Sequence, residues 1–105
     1  MTESEFNDLV DETFALIEDA VDHCEADIDS ENSGGVLTLS CENGSAIIFS
    51  RQPASRELWL AARSGGFHFI YQDGRWYCPK LQQGLAPMFS KITGEQAGET
   101  ITLDI

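Results

Sequence analysis

Residues Gly34–Ser50 read GGVLTLSCENGSAIIFS and contain two short runs in which apolar and polar side chains alternate. The runs Val36–Cys41 and Ala46–Ser50 have the period of two that is typical of half-buried strands. Glu42-Asn43-Gly44-Ser45 lies between them. Asn-Gly is the strongest short-range hairpin signal, because a type I′ turn requires positive φ at both central residues. This stretch therefore predicts an antiparallel hairpin that begins after a break in the chain at Gly34-Gly35.

Three further strands follow the hairpin with short connections. They are predicted at Glu57–Ala62, Phe67–Tyr71 and Arg75–Cys78. The segments between them are rich in turn-forming residues, namely Pro53-Ala54-Ser55, Ser64-Gly65-Gly66 and Asp73-Gly74. Sequential strands with short connections form an antiparallel meander, so we expect a sheet of about five strands.

The first helix is predicted on the N-terminal side of the hairpin. Thr2 and Glu5 have the spacing of a capping box, which marks a helix start. Apolar side chains then recur every three or four positions and form one stripe on a helical wheel. The stripe consists of Phe6, Leu9, Val10, Thr13, Phe14, Ile17, Val21 and Cys24. The spacing predicts a helix from Glu3 to Cys24.

A second helix is predicted after the strands. Its buried stripe consists of Leu85, Met88, Phe89 and Ile92. This helix would run from Gly84 to Gly94, which places Pro87 in the first turn, where proline is tolerated. The C-terminal segment Ile101–Ile105 is predicted to be extended and loosely packed. The sequence thus predicts one α+β domain, residues 1–105, in which both helices cover one face of the antiparallel sheet and leave the other face open.

The charge of the chain is strongly negative and unevenly distributed. The net charge is −12, and residues 1–50 contain thirteen Asp and Glu but no Lys or Arg. Such a surface repels phosphate backbones and anionic lipids, so we expect no nucleic-acid or membrane partner. It attracts metal cations or basic protein surfaces. The N-terminus lacks the basic and apolar segments of a secretory signal, which predicts a cytoplasmic protein.

The densest group of carboxylates, in Glu18–Glu31 (EDAVDHCEADIDSE), falls where the first helix is predicted to end. A helix C-terminus is the negative end of the backbone dipole, where anions are disfavoured. Glu18 and Asp22 are also four residues apart, and like charges at that spacing destabilise a helix by about 0.2–0.5 kcal/mol. Because solubility requires no such concentration of charge, these carboxylates indicate a binding function.

Carboxylates are hard oxygen ligands that suit Mg²⁺, Ca²⁺, Mn²⁺ and iron. Asp27, Asp29 and Glu31 have the spacing of the first ligands of an EF-hand loop. Asn32, however, occupies the position that requires glycine, and Thr38 the position that requires a bidentate glutamate. The EF-hand hypothesis is therefore rejected. What remains is a shallow acidic surface that should bind cations weakly and with little selectivity.

Other residue types that carry chemistry give weaker signals. Three cysteines, Cys24, Cys41 and Cys78, contain no Cys-x-x-Cys spacing and are predicted to be free thiols. His23 is either an exposed helix-end histidine or a metal ligand. His68 is predicted to pack or to contact a partner rather than to act as a general base. No catalytic motif such as Gly-x-Ser-x-Gly or His-Glu-x-x-His occurs, so we expect no enzyme.

Trp59 lies in the predicted strand ELWLAA. Leu58 and Leu60 share one face of that strand, so Trp59 points to the other. If the leucines face the helices, a large aromatic side chain stands on the open face of the sheet. It is either shielded by its neighbours or available as a contact residue, because tryptophan is enriched at interface hot spots.

Three segments of the chain resemble the frataxin family, most closely its bacterial branch. They are Gly34–Gln52 (GGVLTLSCENGSAIIFSRQ), Glu57–Phe69 (ELWLAARSGGFHF) and Arg75–Cys78 (RWYC), and an acidic first helix precedes them. The resemblance covers nearly the whole chain. It implies two helices packed on one face of an antiparallel sheet, and a non-catalytic role in iron-sulfur cluster assembly.

The resemblance also implies that iron binds weakly along an acidic ridge on the first helix and the leading edge of the first strand. In this chain the acidic ridge comprises Asp11, Glu18, Asp19, Asp22, Glu25, Asp27, Asp29 and Glu31. In the family the ridge docks on a basic surface of the cysteine desulfurase, and the sheet face meets the scaffold machinery. The implied partner-binding residues are Glu18, Asp19, Asp22, Asn43, Gln52 and Trp59.

Three functional hypotheses remain open. The first is a monomeric, non-catalytic regulator of cluster assembly that binds iron, and other divalent cations, through the ridge. The second is a protein-docking module whose metal binding is incidental. The third is iron storage or ferroxidase activity in an oligomer, for which the sequence shows neither an oxidation site nor an assembly surface.

Overall fold

The computed structural model describes residues 1–105 and contains two helices and seven strands. The elements are α1 (Glu3–Asp22), β1 (Ile28–Ser33), β2 (Val36–Cys41), β3 (Ala46–Gln52), β4 (Glu57–Ala62), β5 (Gly65–Gln72), β6 (Arg75–Cys78), β7 (Gln83–Gly84) and α2 (Leu85–Gln96). The strands form one antiparallel sheet in sequential order from β1 to β7. The predicted fold class is therefore confirmed, with seven strands in place of about five.

Helix α1 begins at the predicted capping box. Thr2 Oγ1 accepts a hydrogen bond from Glu5 N at 3.1 Å, and Glu5 Oε1 accepts one from Thr2 N at 2.9 Å. The helix ends at Asp22, two residues before the predicted end, because the amide of Cys24 donates to Val21 O, a bond to the residue three positions back that tightens the last turn. Neither helix combines the length and the apolar character needed to cross a membrane.

Both helices pack on the same face of the sheet. The ring of Phe49 on β3 lies 6.3 Å from that of Phe14 on α1 and 5.9 Å from that of Phe89 on α2. The buried residues alternate along β2, β3, β4 and β6, as Leu58 and Leu60 do, and join the helix stripes in one cluster of 21 residues. The helices therefore cover one face of the sheet, and the opposite face, called the open face below, stays in contact with solvent.

The turns differ from the prediction. At the β2–β3 loop, Gly44 N donates to Cys41 O at 3.0 Å and Gly44 has φ +87°, but Asn43 does not have positive φ. The loop is thus the three-residue type, in which a type I turn is followed by a glycine in the left-handed region, and the predicted type I′ turn is wrong. The two-residue turn lies instead at Gly34-Gly35, where φ is +61° and +81°, between the paired residues Ser33 and Val36.

Two parts of the C-terminal region are more ordered than predicted. Helix α2 continues past Gly94 to Gln96, and Gln96 is buried. The segment predicted to be loosely packed is anchored instead, because Ile101 and Leu103 are each 4% exposed. Ile101 N donates to Thr93 Oγ1 at 3.0 Å, which ties this segment to α2. The alternation of apolar and polar residues closes the end of the core.

Candidate metal and partner-binding surface

The acidic ridge divides between helix α1 and strand β1. On a helical wheel Asp11, Glu18 and Asp22 lie on one side of α1, because they are separated by seven and four residues. This side faces the β1 edge of the sheet, since Asn32 on β1 donates a hydrogen bond to Glu18 Oε1 at 3.2 Å. All members of the ridge are exposed except Glu18, which is half-buried. The fold therefore places the C-terminal half of α1 beside the strand that carries Asp29 and Glu31.

Asp11 differs from the other ridge carboxylates because it already has a cationic partner. Arg51 on β3 donates to Asp11 Oδ1 at 2.6 Å and to Asn7 Oδ1 at 3.2 Å. The Arg51 side chain is 16% exposed, and its guanidinium lies 5.4 Å from the centre of the Phe14 ring. The pair joins α1 to β3, and it leaves Asp11 the least available ridge residue for an external cation.

His23 lies among the carboxylates at the C-terminal end of α1. His23 Nδ1 lies 2.8 Å from Asp19 O, to which it donates as imidazolium, and 3.5 Å from Asp19 Oδ1. This backbone hydrogen bond, together with the carboxylates of Asp19 and Asp22, raises the pKa of His23 from its ordinary value of 6.5. His23 is exposed and bonded to the helix end, so its protonated form interacts favourably with the α1 dipole, whose last turn contains no lysine or arginine.

Strand alternation separates the ridge carboxylates of β1 from those of α1. Ile28 pairs with the buried Cys41, and Asn32 reaches Glu18, so Ile28 and Asn32 lie on the helix side of the sheet. Asp29 and Glu31 occupy the intervening positions and therefore lie on the open face. The two groups of carboxylates flank the edge of the sheet from opposite sides.

No three His, Cys, Asp or Glu side chains converge into a preformed metal site. The donors are hard oxygens, which suit iron, Mg²⁺ and Ca²⁺. Seven of the eight carboxylates are exposed, and side-chain hydrogen bonds orient Glu18 and Asp11 alone, so the ridge lacks the network of hydrogen bonds that fixes a set of metal ligands. The residues therefore fit a cation that keeps most of its water ligands, and do not fit a tightly held, selectively coordinated ion.

An open cleft of about 690 Å³ extends the acidic surface to the end of the molecule where the two helices terminate. Its acidic lining residues are Glu25, Asp27, Glu42 and Glu95. The carboxylate of Glu99 accepts hydrogen bonds from Glu25 N at 3.1 and 3.2 Å. Glu42, Glu95 and Glu99 are not predicted as part of this surface, because nothing local in the sequence indicates that they lie beside the end of α1.

Trp59 stands on the open face, as its position between Leu58 and Leu60 predicts, and it is 37% exposed. Its indole stacks on the His68 imidazole, with ring centres 4.3 Å apart and planes within 4° of parallel. Trp59 Nε1 donates to Glu57 Oε1 at 2.9 Å. Gln52 pairs with Glu57 in the neighbouring strand and lies on the same face. Glu57 orients the indole of Trp59, and the one feature of the sequence that indicates this is that the two residues are two positions apart and so share a face of the strand.

Asn43 lies at the end of the sheet rather than on a strand beside Trp59 and Gln52, and its part in partner binding stays a prediction. It is in the β2–β3 loop, where its Nδ2 donates to Gln96 O at 2.9 Å at the end of α2. Its Oδ1 accepts from Ser45 N at 3.0 Å and from Ser45 Oγ at 2.7 Å. The side chain of Asn43 is thus occupied in closing the loop against α2.

Comparison with known proteins places this geometry in a family. A model described as "Frataxin-like domain" matches residues 1–99. The "Iron-sulfur cluster assembly protein CyaY" of Pseudomonas entomophila is 49% identical over 106 residues, covering 99% of this chain and 96% of the relative. The solved frataxin of Psychromonas ingrahamii is 31% identical with a TM-score of 0.91, covering 97% of both chains. A trimeric frataxin from Saccharomyces cerevisiae, complexed with ferrous, shares the fold at 24% identity and a TM-score of 0.71, covering 90% of this chain and 87% of that one. The chain belongs to the frataxin family.

Proposed function

We propose that this protein is a non-catalytic adaptor and regulator of iron-sulfur cluster assembly that engages its partners through the acidic ridge. The relative from Pseudomonas entomophila is named for iron-sulfur cluster assembly. The partners of this chain would be the cysteine desulfurase, which presents a basic surface to the ridge, and the scaffold protein, which meets the open face around Trp59. The protein would act in the cytoplasm as a monomer.

One observation supports docking through the ridge above all others. Among its eight carboxylates, Asp11 alone forms an ion pair with a lysine or arginine of the same chain. Asp19 lies beside His23, and the other six have no basic side chain within ion-pair distance, although the like charges of Glu18 and Asp22 destabilise α1. A basic partner would remove this repulsion. The charges that destabilise α1 in the free protein would therefore favour binding of the partner.

The ridge would also bind iron, as a weakly held ligand rather than a built-in cofactor. Its oxygen donors are exposed and dispersed, so they would hold a hydrated Fe²⁺ or another divalent cation. This arrangement favours docking as the main role of the ridge. A bound cation would then reduce the negative charge that the ridge presents to the partner.

The docking proposal is tested by reversing two ridge charges. We expect Glu18→Lys with Asp22→Lys to abolish desulfurase binding in metal-free buffer, and raised salt to weaken the wild-type complex in the same way. The matched control is Asp8→Lys with Glu12→Lys, which changes the net charge equally on exposed α1 residues with the same spacing but outside the ridge. Equal loss in both variants would mean that net charge, and not the ridge, controls binding.

The iron proposal is tested separately by anaerobic titration of Fe²⁺ into labelled protein, followed by NMR. We expect the amide signals of Glu18–Glu31 to broaden first and those of the Asp8 and Glu12 turn to change later. If the earliest changes occur outside the ridge, the assignment of iron to the ridge is wrong. Desulfurase activity measured with and without the protein, at two iron concentrations, then gives the sign of the regulation.

A further inference from the structure

Strand β1 is an unpaired edge of the sheet. It pairs with β2 on one side, and no strand covers its other side. Five of its six residues are exposed, from Asp29 to Ser33, which means that neither helix covers this part of the edge. An exposed edge strand presents a row of free backbone groups that another extended chain can pair with.

The hydrogen-bonding register shows which backbone groups are free. Arg51 N donates to Gly35 O at 3.3 Å, a bond that brackets the Val36–Ser50 pair and turns the backbone of Val36 toward β1. Val36 therefore exchanges hydrogen bonds with its partner Ser33, and the alternate partners along the ladder do the same. Ser30 and Asn32 fall between them, so their N–H and C=O groups point away from the sheet and have no partner in the fold.

The side chains beside this edge are acidic on both sides. Asp29 and Glu31 lie on the open face. Glu18 lies on the helix side, where Asn32 donates to it, and Asp22 follows Glu18 one turn later on the same side of α1. A strand added to β1 would direct its alternate side chains to these two faces. Both sets of side chains would meet carboxylates, so the complementary segment carries lysine or arginine on both of its faces.

We propose that the β1 edge accepts an extended, lysine- and arginine-rich segment of a partner protein as an eighth strand of the sheet. The backbone groups of Ser30 and Asn32 would supply the hydrogen bonds, and the flanking carboxylates would select basic side chains. This proposal deepens the proposed function and rests on it, because it names the way in which the ridge holds a basic partner. It accounts for carboxylates on both sides of the edge, which contact with one flat surface would not require.

A second copy of this chain is a poor occupant of the same edge. Pairing β1 with β1 of another molecule would place the carboxylates of Asp29 and Glu31 beside those of the partner copy. Like charges directly opposite in a sheet are destabilising. The acidic edge thus disfavours self-association and favours a segment of opposite charge.

The experiment uses the full chain and a synthetic peptide with a repeated Lys-Arg-Thr sequence. We expect peptide binding to slow hydrogen exchange at the amides of Ser30 and Asn32, with little change at Glu31, whose amide already bonds to β2. Ser30→Pro removes one outward N–H without breaking the β1–β2 ladder and keeps every carboxylate, whereas Ser30→Ala is the matched control. We expect the proline variant to bind at least about tenfold more weakly than the alanine variant.

The possible outcomes separate this proposal from the proposed function. Peptide binding without slower exchange at Ser30 and Asn32, or equal affinity of the proline and alanine variants, overturns strand addition. Slow exchange at these amides in concentrated protein without peptide overturns it in favour of a second copy. If Ser30→Pro binds the desulfurase as well as wild type while Glu18→Lys with Asp22→Lys does not, docking through the ridge stands and strand addition is rejected. If neither change weakens desulfurase binding, the proposed function itself fails.

Discussion

Removing one ridge charge should stabilise or destabilise the fold according to whether the carboxylate has a partner. Asp11→Asn takes the anion away from Arg51, whose side chain is 16% exposed and whose Nη2 lies 2.6 Å from Asp11 Oδ1. Hydrogen bonds to charged groups contribute about 1.5–3 kcal/mol, and the 65% exposure of the Asp11 side chain reduces that figure toward the range of surface pairs. We expect a loss of about 1–2 kcal/mol in the free energy of unfolding.

Asp22→Asn should instead increase the free energy of unfolding. It removes a charge from the negative end of the α1 dipole, worth about 0.3–1 kcal/mol, and the repulsion from Glu18, worth about 0.2–0.5 kcal/mol. Chemical denaturation of both variants at low salt measures the difference, and thermal melts should move in opposite directions by about 4–8 °C per kcal/mol. If both variants are stabilised, the ion pair between Arg51 and Asp11 contributes nothing to stability and the reasoning is refuted. It is also refuted if both are destabilised, because the carboxylates of Glu18 and Asp22 would then not repel each other measurably.

Three further changes test the fold around the site. Thr13→Val leaves the buried indole N–H of Trp76 without its acceptor at 2.9 Å and should lower stability by about 1–3 kcal/mol, whereas Thr13→Ser, which keeps the hydroxyl, should lower it far less in the same denaturation assay. Gly35→Ala should destabilise more than an ordinary strand substitution, because φ is +81° and the new Cβ would lie 3.3 Å from the Arg51 side chain; a melting temperature equal to wild type would contradict this. A backbone hydrogen bond raises the pKa of His23 above 6.5 in the folded state, so the contribution of His23 to stability is present below pH 6.5 and is lost as the pH rises through the folded pKa. His23→Gln should therefore flatten the plot of unfolding free energy against pH across that window.

The sequence predicted the elements whose period follows from one-sided burial. The stripe from Phe6 to Val21 and the alternation around Leu37 and Leu58 arise because one face contacts the core, and such patterns are visible without knowledge of the fold. Strand β1 has no such pattern, since Ile28 is its sole apolar residue and the rest of the strand is exposed. Its one local signal was Gly34-Gly35, which is a hairpin turn of its own and was interpreted as a break.

The composition of the candidate site was predictable, and its organisation was not. Carboxylate density and the position of Trp59 follow from the sequence, whereas the pairing of Asp11 with Arg51 joins residues forty positions apart. The side of β1 on which Asp29 lies depends on the register with β2, which no local pattern fixes. The same limit explains Asn43, whose partner at the end of α2 lies 53 residues away.

The crowded anions at the end of α1 repel one another in the free protein, and the proposed docking of a basic partner would remove that repulsion. Solubility does not require this density of charge beside an open edge, and a neutral side chain there would give a more stable helix. The proposed strand addition would also account for the division of the carboxylates between two faces, since an incoming strand presents side chains to both. Net charge acts at long range and sets the rate of encounter, but the backbone groups of Ser30 and Asn32 act only at contact. A basic protein that merely collides with the ridge and one that adds a strand to it would thus share a salt dependence and differ in hydrogen exchange at these two amides.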